Sequence, residues 1–245
     1  MSAQPGLVFG VNAANYDVHR PAIPAELAEW LIPPNCGLAV EMGSGTGHFT
    51  RILVDRAARV VATDPDPGMR AWLAEQLPTA TVMEGTAEAL PVETGTADGV
   101  FASSAWHWFD PRAAGTEAAR CLKPGGVLGV CWYDRGQSDL WLPELQRMVM
   151  SAHRTDRPVH QFHLPEDLPF GPVEKRVVTA ARQMTPEEIC GLFTTYSAVI
   201  TLPDEERKSL IGRFLVHLRA RAVENGTETL EVPFFATLYR ASRTG

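Results

Sequence analysis

The residues best equipped for chemistry are gathered in Val40-Glu41-Met42-Gly43-Ser44-Gly45-Thr46-Gly47, where an apolar run meets an acid and then three glycines at alternate positions. Glycine is required where a ligand approaches the backbone or where φ is positive, and a helix opening after the turn offers unpaired N–H groups. That combination suits a nucleotide-like ligand; a bare β–α turn is the alternative. A dinucleotide-binding turn would read G-x-G-x-x-G, with a pyrophosphate on the helix N-terminus. Here the third glycine falls early, at Gly47, and His48 stands where that motif needs glycine. The sequence has no G-x-x-x-x-G-K-[ST] phosphate loop either. A carboxylate at Glu41 repels pyrophosphate but attracts the cationic head of an amino acid, directly or through water. Asp64 closes the next apolar run, where it can accept hydrogen bonds from both hydroxyls of a ribose or simply form the turn before Pro65.

Bringing Glu41, the glycines and Asp64 together requires strands that end side by side. Apolar or β-branched runs at Leu38–Met42, Arg59–Asp64, Thr81–Glu84, Gly99–Ser103 and Val127–Trp132 predict such strands. Helical patterns between them cover Pro24–Leu31, Gly47–Arg56, Pro67–Leu77 and Pro111–Leu122, the last stopped by Lys123-Pro124-Gly125-Gly126. This alternation implies a parallel sheet covered by helices on both faces, with ligands at the carboxyl ends of its strands. Beyond Trp132 the rhythm changes. Helices are predicted at Leu140–His153 and Thr185–Tyr196, with a strand-like run at Val173–Ala180 between them. Leu210, Ile211, Phe214, Leu215 and Leu218 then mark a long amphipathic helix over Pro203–Glu224. A closing strand over Glu228–Tyr239 contains Pro233, which argues for an edge or a bulge.

A chain of 245 residues with 45% hydrophobic and 21% charged residues can bury one substantial core. Its formal net charge of −7 gives no basic footprint for nucleic acid. Cys36, Cys121, Cys131 and Cys190 are scattered, without a C-x-x-C pair or a histidine at metal-ligand spacing, so reduced thiols and no metal are expected. No basic segment followed by an apolar leader opens the sequence, and no run approaches the roughly 18 apolar residues of a membrane span. A cytoplasmic protein that binds neither membrane nor nucleic acid is expected; oligomeric state is not legible.

Glu41–Gly47, Asp64, Gly85-Thr86-Ala87-Glu88-Ala89-Leu90-Pro91 and Leu122–Gly126 resemble, in order and spacing, the successive motifs of class I S-adenosylmethionine (SAM)-dependent methyltransferases. Ala105-Trp106-His107-Trp108-Phe109-Asp110, with Phe9-Gly10, Ala14-Asn15-Tyr16-Asp17 and Arg20-Pro21, is similar to the trans-aconitate-methyltransferase-like branch. Ser104 stands where that branch usually has glutamine. The likeness covers roughly residues 9–133 and is general in layout beyond them. It implies an α/β, Rossmann-like, seven-stranded and mostly parallel sheet with helices on both faces and a lid or insertion after strand 5. It also implies one domain over 1–245, comprising an N-terminal lid segment (1–35), a SAM-binding core (36–135), a substrate-covering insertion (136–200) and a closing helix and strand (201–245).

By the same resemblance, Gly43, Gly45 and Gly47 would pass close to the methionine part of the cofactor, with Glu41 near its amino group and Asp64 on its ribose. Pro65 and Met69 would line the adenine, with Thr86, Ala87 and Glu88 at its edge. Tyr16 and Arg20 would fold over the cofactor, and Ser103 would lie at the strand end beside it. Ser104, His107, Trp108 and Trp132 would face a small-molecule acceptor. His107 is open to three roles: general base, since an ordinary imidazole titrates near working pH; a donor that orients the acceptor; or a packing residue. Transfer of a methyl from a sulfonium mainly demands alignment and exclusion of water. A carboxylate acceptor would need no base, whereas a hydroxyl or ammonium would profit from one. Tyr133, Trp141, His153, His160, Phe162 and His163 are further candidates for the acceptor wall, and Arg154 and Arg157 for a carboxylate clamp. A SAM-binding regulatory protein without catalysis and a nicotinamide-dependent oxidoreductase are the competing readings.

Overall fold

A computed structural model describes residues 13–136, 138–152 and 162–245. Five strands, β1 (Cys36–Met42), β2 (Ala57–Asp64), β3 (Thr81–Glu84), β4 (Ala97–Ser103) and β5 (Leu122–Arg135), run parallel in the spatial order β3-β2-β1-β4-β5. Two more, β6 (Glu174–Met184) and β7 (Leu230–Ser242), complete a seven-stranded sheet, with β7 antiparallel to both β5 and β6. The order of strand addition reverses between the parallel neighbours β1 and β4, which opens a crevice at the carboxyl ends of the central strands.

Parallel strands covered on both faces must be apolar on both faces. Leu38, Val40 and Met42 of β1 join one core with Val100 and Ala102 of β4 and Leu128, Val130 and Trp132 of β5. Ala39, Phe101, Cys131 and Tyr133 turn to the opposite core. The first core is covered by α5 (Pro111–Cys121). The second is covered by α2 (Ala25–Ala28), α3 (His48–Val54), α6 (Pro143–Ala152), α7 (Pro186–Phe193), α8 (Ser197–Ile200) and α9 (Asp204–Asn225). Two further helices, α1 (Ala13–His19) and α4 (Pro67–Gln76), flank the crevice.

Local chemistry explains the helix boundaries. Asp66 and Asp110 each accept two backbone N–H bonds at the first turn of α4 and α5, and Pro67 and Pro111 follow them where no N–H is needed. Thr185 and Glu188 form a reciprocal capping box on α7. On α9, Leu210, Phe214, Leu218 and Ala222 recur on one buried face, and Gly226 ends the helix at φ 66°.

Several elements differ from the sequence expectation, β6 running on to Met184 where Ala180 is the expected end. The helix predicted over Pro24–Leu31 is regular only over Ala25–Ala28 and ends in tighter turns, because Pro33 and Pro34 forbid its continuation. α7 stops at Phe193, where the hydroxyls of Thr194 and Thr195 bond the carbonyls of Gly191 and Leu192, both at 2.6 Å. β5 starts at Leu122 instead of Val127, because Lys123–Gly126 loops out as an irregularity opposite Ala97 and Gly99. β7 is an interior strand, yet Pro233 lies just past the last β5 pair, Arg135 with Phe234, so its missing N–H breaks no ladder bond.

Candidate active site

The three motif glycines all adopt left-handed backbone, with Gly47 at φ 89° serving as the N-cap of α3. A side chain at Gly47 would run into Leu73 of α4, whereas one at Gly45, φ 54°, would meet open space. The turn is tied to β2 at two points. Ser44 N–H donates to the carbonyl of Thr63 at 2.9 Å, and Gly45 N–H donates to Asp64 Oδ2 at 2.9 Å. The other oxygen of Asp64 accepts from Asp66 N–H at 2.9 Å. Burial raises the Asp64 pKa, against the pull of those two N–H groups. A carboxylate has about four lone-pair sites, so a ligand can still be accepted there.

Glu41 lies at the end of β1, 1% exposed, and its Oε2 accepts the Thr50 hydroxyl of α3 at 2.6 Å. Burial pushes its carboxyl up to about 8, opposed by the Thr50 bond and reinforced by the charge of Asp64. Beside it, Ser44 Oγ and Thr46 Oγ1 are buried without a hydrogen-bond partner. Unsatisfied buried hydroxyls on a cavity wall are the mark of a polar ligand site.

That cavity runs along the strand ends. Its wall includes Glu41, Gly43, Gly45, Asp64, Pro65 and Met69 on one side. Ser103, Ser104, His107, Trp108 and Trp132 stand on the other, and Tyr16 and Arg20 complete it. Two salt-bridge contacts from Arg51 to Asp17, 3.1 and 3.2 Å, and an Asn15 to Thr194 bond of 3.0 Å hold α1 in place for this. Arg20 lies over the Tyr196 ring at 4.7 Å, 3.6 Å from Asp134 Oδ2. Burial works against its charge, but Asp134, Tyr16 and Tyr196 more than offset this and hold the guanidinium above its ordinary range. Tyr196 in turn donates to Asp134 Oδ1 at 2.8 Å.

On the β4 side, Ser104 takes φ 53°, rare for a side-chain-bearing residue, and turns the chain into a short 3-10 helix, Trp106–Trp108. His107 packs against Trp108 with ring centroids 4.7 Å apart, and its Nδ1 accepts the indole N–H of Trp132 at 3.2 Å. Trp132 is 1% exposed and set edge-on against Tyr239.

Thr86, Ala87 and Glu88 are not among the residues lining the cavity. Ala87 is in the core, Thr86 pairs with Ala89, and Glu88 accepts the N–H of Asp110 at 3.2 Å. Gly47 sits beneath the cavity, on Leu73. Within 136–200, β6 belongs to the sheet, and Thr195 and Tyr196 are the described residues that reach the cavity. Tyr133 lines it, Trp141 and Phe162 are core, and His163 is exposed. Phe9, Gly10, His153, Arg154, Arg157 and His160 lie outside the described residues. Sequence reasoning missed Ser44, Thr46, Thr50, Asp134 and Tyr196. The first two lie inside the glycine motif, and Asp134 follows the apolar run of β5, so position alone could have marked them. Nothing local marks Tyr196. Among the described residues no group of three or more potential ligands could hold a metal ion, and no helix is long and apolar enough to cross a membrane.

Residues 40–130 match the methyltransferase-domain family. An uncharacterized methyltransferase of Mycobacterium tuberculosis is 34% identical over 237 residues, 96% of each chain. A malonyl-[acyl-carrier protein] O-methyltransferase of Methylococcus capsulatus is 35% identical over 137 residues, 50% of this chain and 49% of that one. A structure solved as a type II methyltransferase from Anaeromyxobacter dehalogenans superposes with a TM-score of 0.62 at 23% identity, over 91% of this chain and 97% of that one. At that identity the likeness is one of fold.

Proposed function

The chain belongs to the class I SAM-dependent methyltransferases, and from that premise we propose that it methylates an oxygen of a small carboxylic acid. SAM is its cofactor, which displaces the nicotinamide reading. The cavity fits that group: two orphaned hydroxyls, Ser44 and Thr46, flank a turn whose glycines admit close approach. In this reading Glu41 faces the cofactor's amino group, Asp64 the ribose, and Pro65 and Met69 the adenine, while Tyr16 and Arg20 cover it. When bound, the cofactor supplies a sulfonium methyl; an acceptor lone pair forms the new bond to carbon, and the C–S electron pair passes to sulfur.

The observation that carries the acceptor class is the state of Asp134. It is the carboxylate on the β5 side of the cavity, and it is already answered by Arg20 and Tyr196. An ammonium acceptor would find no uncommitted carboxylate among the described residues on that side, whereas a carboxylate acceptor would meet His107 and the hydroxyls of Ser103 and Ser104. A carboxylate also arrives deprotonated, so the protein need only orient it and exclude water. The half-length likeness to an O-methyltransferase whose named substrate carries a malonyl group supports the same class.

The test is incubation with SAM and a panel of mono- and dicarboxylic acids, amines and phenols, read by mass spectrometry. Methyl esters are expected. Methylated amines or phenols in their place would overturn the acceptor class, and tight S-adenosylhomocysteine binding without turnover of any member would favour a regulatory protein.

A further inference from the structure

We propose that Trp132 fixes His107 as the neutral tautomer protonated at Nε2, so that His107 meets the acceptor as a hydrogen-bond donor and not as a base. An indole N–H can only donate. Its bond to His107 Nδ1, at 3.2 Å, therefore requires a lone pair on that nitrogen. The imidazolium would set two N–H groups against each other. In the neutral ring the proton must then sit on Nε2, and the ring that carries it lines the cavity.

The arrangement is rigid on both sides. Trp132 belongs to β5, in register with Thr237 of β7, and is packed edge-on against Tyr239 with ring centroids 6.1 Å apart. His107 is carried by a 3-10 turn whose first residue, Trp106, is 1% exposed, and its ring rests on Trp108. The indole cannot leave the imidazole without disturbing the core, since Trp132 is 1% exposed.

The consequence for specificity rests on the methyltransferase reading of the cavity. A donor toward one oxygen of a carboxylate steers the other oxygen without removing a proton. It adds no nucleophilicity, so its effect falls on acceptor binding more than on the rate of the bound complex. Acceptors that must lose a proton to react are poorly served, and those that arrive anionic are selected. Trp132 is thus a positioning residue acting through His107.

Nitrogen-15 spectra of histidine-labelled protein bound to S-adenosylhomocysteine test the tautomer directly, with His107 assigned by the resonances lost in His107→Gln. The wild type is expected to show Nδ1 as the lone-pair nitrogen at neutral pH, and Trp132→Phe to lose that preference while keeping its circular dichroism spectrum. An Nδ1-protonated or doubly protonated ring in the wild type overturns the proposal even if Trp132→Phe fails to fold. With an acid turned over in the panel, His107→Ala should raise KM roughly tenfold with a smaller fall in kcat. His107→Gln, whose amide can donate from a similar place, should recover most of that loss. A glutamine variant as inactive as a base knockout overturns the donor role. Because the spectra need no acceptor, failure of the tautomer and failure of the carboxylate reading are distinguishable.

Discussion

Glu41 combines near-complete burial with a single hydroxyl partner, Thr50, and in its proposed place beside the cofactor's amino group it should make cofactor binding pH-dependent. Its carboxyl, pushed up to about 8 by burial, holds a proton at neutral pH when no cation faces it. A cofactor ammonium favours the ionised form. Affinity for S-adenosylhomocysteine is therefore expected to rise from about pH 6 toward about pH 8 and flatten above, with proton release on binding below that point. Glu41→Gln should lower the affinity and abolish the slope, which calorimetry in buffers of different ionisation enthalpy will show. Stability moves the opposite way. A raised pKa in the fold means that its contribution is present at low pH and lost as pH rises through about 8, so Glu41→Gln should raise the melting temperature of the ligand-free protein on the alkaline side. Asp64 is different, since both its oxygens already bind backbone N–H groups. Asp64→Ala should weaken S-adenosylhomocysteine by about 1–3 kcal/mol and also lower the melting temperature by loosening the turn; unchanged affinity would remove Asp64 from the ribose.

The turn from β1 into α3 separates two jobs that look alike in sequence. At Gly47 an added methyl meets Leu73, so Gly47→Ala should cost about 1–3 kcal/mol of stability in denaturant unfolding. At Gly45, φ 54°, the methyl meets no neighbour, so Gly45→Ala should cost only the backbone strain of about 1–2 kcal/mol in stability, while the methyl enters the cavity wall and lowers cofactor affinity as well. Elements of this kind were legible before the structure because their causes are local. Asp66 and Asp110 sit one residue before proline, Thr185 three before Glu188, and the glycines between an apolar run and a helix. The half of the cavity proposed for the cofactor follows from those local rules. The half proposed for the acceptor does not: Arg20 follows α1, Asp134 belongs to β5 and Tyr196 lies between α7 and α8, and only tertiary packing brings them together. Ala87 and Glu88 show the reverse case, residues of an easily read motif whose side chains serve the core and the chain's own backbone.

At the scale of the whole molecule, one sheet separates two cores that both reach the cavity, and each also has parts that lie away from it. Phe214 of α9 is fully buried on one face, edge-on to Phe193 at 4.9 Å, and is not among the residues lining the cavity. Phe214→Ala should cost about 3–5 kcal/mol in urea unfolding while leaving S-adenosylhomocysteine affinity of the folded fraction unchanged. A shared loss would mean that the two faces are coupled through β5. The position of β7 between β5 and β6 carries a consequence for biosynthesis. β6 is made well before the strand that joins it to the sheet, and until β7 arrives both β5 and β6 present open backbone edges to the surroundings. A ribosome paused ahead of Leu230 thus holds a nascent chain with two unmatched ladders, the moment at which this protein is most exposed to aggregation.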